Sequence, residues 1–283
     1  MLKYIISIMS VLFFLMVTQP GPALGNEALL TGVYVSARVT FDSNSKIYQY
    51  EYSLSNGKES KGRIDSFIVT IRYPDGGERL SDAYLFKKGP DPVAALPDEI
   101  RTAMEKFQEM LPPIVPVSLT SPSAWVSITL GNARWGSDEA TIGAGETLSG
   151  FVIESPGLPA IREFHADPKV DNPPAGRELI FQGKTIGPTA PPAAIVYDEF
   201  FRYLTSMERE AYKLGWIKED VLFDAIEVGL KKARDAAELF KEEEAHKAIS
   251  SLLDKVEAGK ESSLSSEGYA LLKYNLQYLL KKL

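Results

Sequence analysis

The stretch IGAGETLSGFVIESPGLP, residues 142–159, decides the fold class of this chain. Gly143 and Gly145 can adopt positive φ without a side-chain clash, so they allow a sharp turn before the apolar run. The residues that follow alternate with the period of two that a β-strand requires, and Leu148 and Val152 are the core candidates. We therefore expect a late strand of a β-sandwich here.

Two prolines follow this predicted strand. Pro156 and Pro159 have no backbone N–H to donate to a β-ladder, so we expect strand pairing to end at them. The stretch contains no catalytic or cofactor motif. The stretch therefore predicts part of the fold and gives no indication of function.

Composition limits the class of protein. The chain has 283 residues, of which 45% are hydrophobic, enough for one or two domains with buried cores. A formal net charge of −7 disfavours a general nucleic-acid or anionic-membrane binder, since both need a basic surface. The chain has no cysteine, which excludes disulfides, thiolate catalysis, cysteine-bound zinc and a bacterial lipoprotein anchor.

The N-terminus has the pattern of a secretory signal peptide. Lys3 precedes an almost wholly apolar run over residues 4–17, and small residues at Ala23 and Gly25 follow a Pro-Gly-Pro break. The apolar run is shorter than the ~20 residues of a spanning helix, which disfavours an uncleaved anchor. We expect residues 1–25 to be removed, leaving a cysteine-free, secreted or periplasmic bacterial protein without a transmembrane anchor.

Residues 26–187 have predominantly strand periodicity. Strands are predicted near residues 33–41, 47–54 and 64–73, with Asn56 and Gly57 in a turn. A helix over residues 95–111, with its apolar stripe on the sandwich, interrupts them. The pattern predicts an antiparallel β-sandwich of the immunoglobulin-like or jelly-roll-like kind.

Aromatic residues are the candidate binding residues of this sandwich. Tyr48 and Tyr50 lie on one face of the second predicted strand, and Trp125 and Trp135 flank a later segment. Exposed rings of this kind stack on sugars, whereas buried rings anchor a core. The polar residues opposite the tyrosines favour the core alternative, and tryptophan spacing alone leaves both alternatives open.

Titratable residues give little indication of chemistry. His165 lies in FHADP, predicted to be a loop, and His246 lies on a charged helix some eighty residues away. Neither has the local spacing of a metal site or a Ser-His-Asp triad, and no P-loop or dinucleotide motif occurs. We predict no catalytic residue, metal site or cofactor.

The C-terminal part changes to helical periodicity after a Pro/Ala-rich linker over residues 188–196. Residues 197–283 contain four apolar stripes joined by short connections, which predicts a small helical bundle. The second stripe is expected to run from Leu222 through Ala237 to Phe240. The acids Glu242 and Glu243, with Glu244, suit a helix N-terminus, where the helix dipole is positive.

Two resemblances accompany these patterns. The segments YQYEYSLSN (48–56), 124–161 and GKTIGP (183–188) resemble a diffuse group of uncharacterised secreted bacterial proteins, which supplies no activity. Ala144 stands where that group usually has proline. Residues 212–280 resemble the FIMAH helical module of bacterial extracellular proteins, with LFKEEEAHKA where that family tends to have a glycine. The residues that match are Gly215, Trp216, Ile217, Ala233, Ala237, Leu252, Leu253, Leu264, Ser265, Ala270 and Leu271. This second resemblance implies a non-catalytic, accessory role.

Three hypotheses for function follow. The first is a secreted or envelope-associated, non-catalytic binding or structural protein whose partner is an unknown glycan or protein. The second is an extracellular glycoside hydrolase that uses two carboxylates, which would have to face one cleft about 5–10 Å apart. Its candidates are Asp138, Glu139, Glu146 and Glu154. The third is a surface-assembly subunit with an open, uncharged sheet edge.

Overall fold

The computed structural model of this chain describes residues 28–71, 117–129, 132–170, 180–192 and 195–283. These residues form nine β-strands followed by four α-helices. The strands are β1 Tyr34–Asp42, β2 Ile47–Ser55, β3 Ile64–Thr70, β4 Ser118–Thr120, β5 Val126–Thr129, β6 Asn132–Gly136, β7 Thr147–Ser155, β8 Leu158–Pro168 and β9 Phe181–Thr189. The helices are α1 Tyr197–Lys213, α2 Asp220–Glu238, α3 Glu242–Ala258 and α4 Ser266–Leu280. The predicted signal peptide (1–25) and inserted helix (95–111) lie outside the described residues.

The strands form two antiparallel sheets, as predicted. The first sheet has the order β1-β2-β7-β4 and the second has the order β5-β6-β3-β8-β9. Alternate residues of β1 and β2 are buried, because one face of the first sheet packs on the core. The α+β fold with a C-terminal helical part is therefore confirmed.

Aromatic side chains from both sheets fill the space between them. The Phe67 ring of β3 stacks on Trp135 of β6, with centroids 5.3 Å apart, and meets Phe151 of β7 edge-on at 5.2 Å. Tyr52 of β2 crosses the core, and its hydroxyl donates to the Ile186 carbonyl of β9 at 2.9 Å. The two sheets are joined by ring packing and by a buried hydrogen bond.

β7 does not keep a strict period of two. Its pairing with β2 shifts register opposite Gly150, which has φ of +100° and forms a β-bulge. The extra residue puts Leu148 and Phe151 on the same, inward face. The prediction of Val152 as a core residue is therefore wrong, since Val152 is half-buried while Phe151 and Ile153 are fully buried.

β8 occupies a segment that the sequence suggests is irregular. β7 ends at Ser155, directly before Pro156, as predicted, but the prediction for Pro159 is wrong, because Pro159 is the second residue of β8 and pairs with Pro188. A proline is tolerated near a strand start, and its carbonyl accepts a hydrogen bond from Asn275 Nδ2 at 2.8 Å. The prediction of a loop around His165 is also wrong, since His165 lies within β8, opposite Ile68 and Gln182.

The four helices bury most of the apolar stripes expected of them. α1, α2 and α3 pack in sequence order, and α4 packs against α3 and the sandwich. Gly229 lets α2 approach α3 closely, because a Cβ there would meet the Leu252 side chain at 2.3 Å. The exceptions are Tyr203 of the first stripe, which is exposed, and Phe240, which lies beyond the end of α2. None of the helices in the described ranges is long and apolar enough to cross a membrane.

The start of α4 covers the free edge of β1. Glu267 Oε1 accepts a hydrogen bond from the Ala37 backbone N–H at 2.7 Å, and Ser266 Oγ donates to the Ala37 carbonyl at 2.6 Å. Glu267 is only 3% exposed. Because every second residue of an edge strand directs its backbone groups away from the sheet, these side chains replace a missing neighbouring strand.

Further along, α4 reaches both sheets. Tyr274 donates to the Val39 carbonyl of β1 at 3.3 Å, and its ring lies 5.2 Å from that of Tyr48. Asn275 donates to Pro159 of the second sheet, as described above. The sandwich and the helices therefore share one continuous hydrophobic core.

We predict that Glu267→Ala lowers the free energy of unfolding by about 2 kcal/mol, because it leaves the buried Ala37 N–H without an acceptor. Glu267→Gln is the matched control, since its amide oxygen can still accept that bond. Chemical denaturation of both variants checks this prediction. An alanine variant as stable as the glutamine variant would contradict it.

Candidate interaction surface at the helical hairpin

The four aromatic residues proposed from the sequence for binding are all buried. Trp135 and Tyr50 are 0% exposed, Trp125 is 5% exposed and Tyr48 is 9% exposed. None of them offers a free ring face on which a sugar could stack. They are core residues rather than a stacking platform.

Two of these side chains donate hydrogen bonds within the fold. Trp135 Nε1 donates to the Thr120 carbonyl at 2.9 Å, and the Tyr50 hydroxyl donates to the Gly157 carbonyl at 2.8 Å. Burial, followed by the charges of Tyr274 and Tyr278, raises the pKa of Tyr48 to about 12. Its hydroxyl is therefore protonated at neutral pH and is no general base.

Two of the four candidate hydrolase carboxylates, Glu146 and Glu154, do not face one cleft. Glu146 is exposed, and its side chain accepts a hydrogen bond from the Gly143 N–H of its own turn at 2.5 Å. Glu154 is half-buried near the other end of β7. Eight residues of extended strand separate these two acids by roughly 25 Å, too far for paired catalysis. Asp138 and Glu139 are exposed in the segment after β6.

The histidines also stand apart from other ligands. His165 is half-buried on β8, and His246 is exposed on α3. Within the described part of the chain, no three His, Asp or Glu side chains are grouped so that they could hold a metal ion.

One pair of acids lies on the second sheet. Burial, followed by the charge of Asp167, raises the pKa of Asp65. Arg134 Nη2 lies 3.9 Å from Asp167 Oδ2, and the charge of Lys169 also offsets the pair. The carboxyl group of Asp65 is therefore harder to ionise than usual, with Asp167 as its acidic neighbour.

A lone carboxyl group is buried in the helical part. Glu208 of α1 is 0% exposed, and neither of its oxygens has a hydrogen-bond partner among the described residues. Burial, followed by the charge of Glu227, raises the pKa of Glu208 to about 8, and Asp224 adds to this effect while Arg209 opposes it. Glu208 is therefore mostly protonated and uncharged at neutral pH.

Phe240, the most exposed large apolar side chain among the described residues, lies between α2 and α3. We call Leu239, Phe240 and Lys241, which join these helices, the hairpin tip. Phe240 is 92% exposed and Leu239 is 65% exposed. A large apolar side chain so fully in water is the kind of feature that marks a contact surface.

The backbone at this position is strained. Phe240 has φ of +56°, in the left-handed region that L-residues avoid at about 1–2 kcal/mol. Its N–H donates to Ala237 at 3.1 Å and the N–H of Lys241 donates to Ala236 at 2.9 Å, which is the helix-ending motif that normally has glycine here. The chain thus has a phenylalanine at a position where the backbone conformation favours glycine.

An open groove lies beside the tip, between α2 and α3. Its volume is about 490 Å³. We call it the hairpin groove. Its lining consists of three apolar side chains, four charged side chains and one serine. The lining residues are Lys232, Asp235, Ala236, Leu239, Glu244, Lys247, Ala248 and Ser251.

The charges around this surface are unevenly paired. Asp235 of the groove lies 3.7 Å from Arg234, and Glu244 lies 3.2 Å from Lys241. Across the described residues, no ion pair involves Lys232 or Lys247 in the groove, or Glu242 or Glu243 beside the tip. Free cations therefore lie in the groove and free acids flank the tip.

Sequence reasoning missed Phe240 as a surface residue because its spacing from Ala237 continues the apolar stripe of α2. The signal that could have found it was the acidic run. A helix N-terminus at Glu242 leaves only residues 239–241 for the turn, so Phe240 could not also belong to the helix before it.

The fold is α+β, and Phe240, the most exposed of the large apolar side chains in the described ranges, lies at the helical hairpin. No protein-family model matches the chain, and no curated protein matches it.

We predict that Glu208→Gln removes a pH dependence of stability. The folded state holds a proton on Glu208 that the unfolded chain releases above its ordinary pKa of 4.5. The wild-type free energy of unfolding should therefore fall, relative to the variant, by about 3–5 kcal/mol as pH rises from 4.5 to 8. Urea denaturation at pH 5 and pH 8 measures the free energy of unfolding of both proteins. The same change with pH in the wild type and in the variant would refute the prediction.

We predict that Phe240→Gly raises the free energy of unfolding by about 0.5–1 kcal/mol, because it relieves the left-handed strain while removing little burial. Phe240→Ala, which keeps the strain, should show no such gain. Thermal and chemical denaturation of the three proteins test this. A destabilised glycine variant would mean that the ring packs on the fold.

Proposed function

We propose that this chain is an exported, non-catalytic binding or structural protein of the bacterial envelope or exterior, with a glycan or a protein as partner. The observation that carries the proposal is the strained and exposed ring of Phe240. A side chain that contributes little to folding and opposes local backbone preference has its best physical explanation in contact with a partner.

Export is supported by the sequence pattern at the N-terminus. Lys3, the apolar run over residues 4–17 and the small residues at Ala23 and Gly25 have the order of a signal peptide. The absence of cysteine suits a bacterial envelope protein that folds without disulfides.

The accessory role is supported by where the side chains of the described residues are engaged. In the sandwich, Trp135, Tyr50 and Tyr52 are buried and hydrogen-bonded, whereas the helical part presents the tip. The resemblance of residues 212–280 to FIMAH, which implies a non-catalytic, accessory role, is compatible with this arrangement. It favours the helices as the binding element and the sandwich as their support.

The alternative function is a carboxylate-dependent hydrolase. The observation in its favour is the raised pKa of Asp65 beside Asp167, which would suit a general acid. The surface-assembly alternative has less support at the β1 edge, since Glu267 and Ser266 bond its outward backbone groups at Ala37.

The test uses the chain from Asn26 onward, probed on a printed glycan array and with purified peptidoglycan. We expect saturable binding that Phe240→Gly weakens by about tenfold or more, as for a hot-spot residue. Val221→Ala is the matched control, because Val221 is 81% exposed at the other end of α2. Binding that is unaffected by Phe240→Gly would remove the support for the tip.

The same samples distinguish the alternative. Release of reducing sugar from a polysaccharide panel, abolished by Asp65→Asn and unaffected by Phe240→Gly, would replace the binding proposal with the hydrolase. No turnover, together with binding that depends on the tip, is the expected result.

A further inference from the structure

We propose that the hairpin tip of one molecule inserts Phe240 into the hairpin groove of a second copy, and that the second copy does the same in return. This inference rests on the proposed function, in which the tip is a contact surface. It names the partner of that surface as the chain itself.

The dimensions of the two parts agree. The groove of about 490 Å³ has room for one phenylalanine ring, and Ala236 and Ala248 give it small apolar side chains. Ala236 lies four residues before Phe240, so tip and groove are about 6 Å apart along the helix axis. Two hairpins that overlap by one to two turns in opposite directions would therefore bring each tip over the other groove.

The charges also agree. Glu242 and Glu243 flank the tip, so a groove that binds the tip should carry unpaired cations. The hairpin groove has Lys232 and Lys247. Both groove acids are already paired, Asp235 with Arg234 and Glu244 with Lys241. Glu242 and Glu243 beside the tip would repel an anionic membrane surface. A lipid headgroup is therefore a poorer partner for the tip than a second copy of the chain.

Tip and groove belong to the same chain, so the contact is self-complementary. If residue i of one copy meets residue j of the other, the two-fold axis repeats that contact, and a closed dimer results. Two rings and their surroundings bury less than the ~1,200 Å² of a standard interface, so the dimer should be weak and reversible.

The first test is sedimentation equilibrium of the chain from Asn26 over micromolar to millimolar concentrations. We expect a monomer–dimer equilibrium whose dissociation constant rises at least about tenfold in Phe240→Gly, as for the loss of a central hot spot. Val221→Ala should leave it unchanged. Because Phe240→Gly is expected to stabilise the monomer, lost association would not reflect unfolding.

The second test reverses charges. A variant with Glu242→Lys and Glu243→Lys carries cations on both tip and groove, and a variant with Lys232→Glu and Lys247→Glu carries acids on both. Each should fail to self-associate because like charges then face each other. An equimolar mixture of the two should form a heterodimer, since each tip again meets a groove of opposite charge.

A strictly monomeric wild-type chain at millimolar concentration would overturn this inference, as would a dimer insensitive to Phe240→Gly or a mixture that stays monomeric. If the chain is monomeric yet binds peptidoglycan or a glycan through Phe240, the self-association fails while the proposed function stands. If it dimerises through the tip and binds no such probe, the chain is a self-assembling structural protein.

Discussion

The fold depends on a few hydrogen bonds between the first turn of α4 and the outer edge of β1. Glu267 and Ser266 engage the backbone of Ala37 on both its N–H and its carbonyl, and Tyr274 and Asn275 extend the contact to both sheets. An edge strand left open would expose unpaired backbone groups, which favours association with other strands. The helix closes the sheet with side chains, so the sandwich needs no further strand at that side. The carboxyl group of Glu267 can stay buried because it accepts a hydrogen bond from the Ala37 N–H.

Internal hydrogen bonds also explain why the interior of the sandwich offers no binding site among the described residues. Tyrosine hydroxyls and the indole N–H of Trp135 connect one sheet to the other or to a turn, and the rings stack on one another. Polar atoms that are committed in this way hold the layers together and are closed to solvent. What remains reachable is the outer surface, where the hairpin between α2 and α3 carries an apolar ring in water with unpaired charges around it. The hydrogen-bonded core thus lies in the sandwich, whereas the strained backbone of Phe240 lies at the surface of the helical part.

Sequence periodicity predicted most of the architecture, because half-buried strands and amphipathic helices leave regular patterns. β1, β2 and the four helices follow those patterns closely. The errors have local causes. Gly150 inserts a bulge that changes the faces of β7, and Pro159 sits at a strand start where its missing N–H does no harm. The interface of α4 with β1 could not be predicted, since its bonds join residues some 230 positions apart and no local pattern records them. The candidate surface was hidden for a simpler reason, because Phe240 fits the spacing of the helix that it follows.

The long separation between Ala37 and Glu267 also bears on how the polypeptide is made. A ribosome releases β1 well before α4, so the outer edge of β1 stays uncovered until α4 has been made. Contacts between residues so far apart in sequence slow folding, because the chain entropy of a large loop is lost before any contact compensates for it. Until α4 packs there, the outward backbone groups of β1 can associate with strands of other molecules.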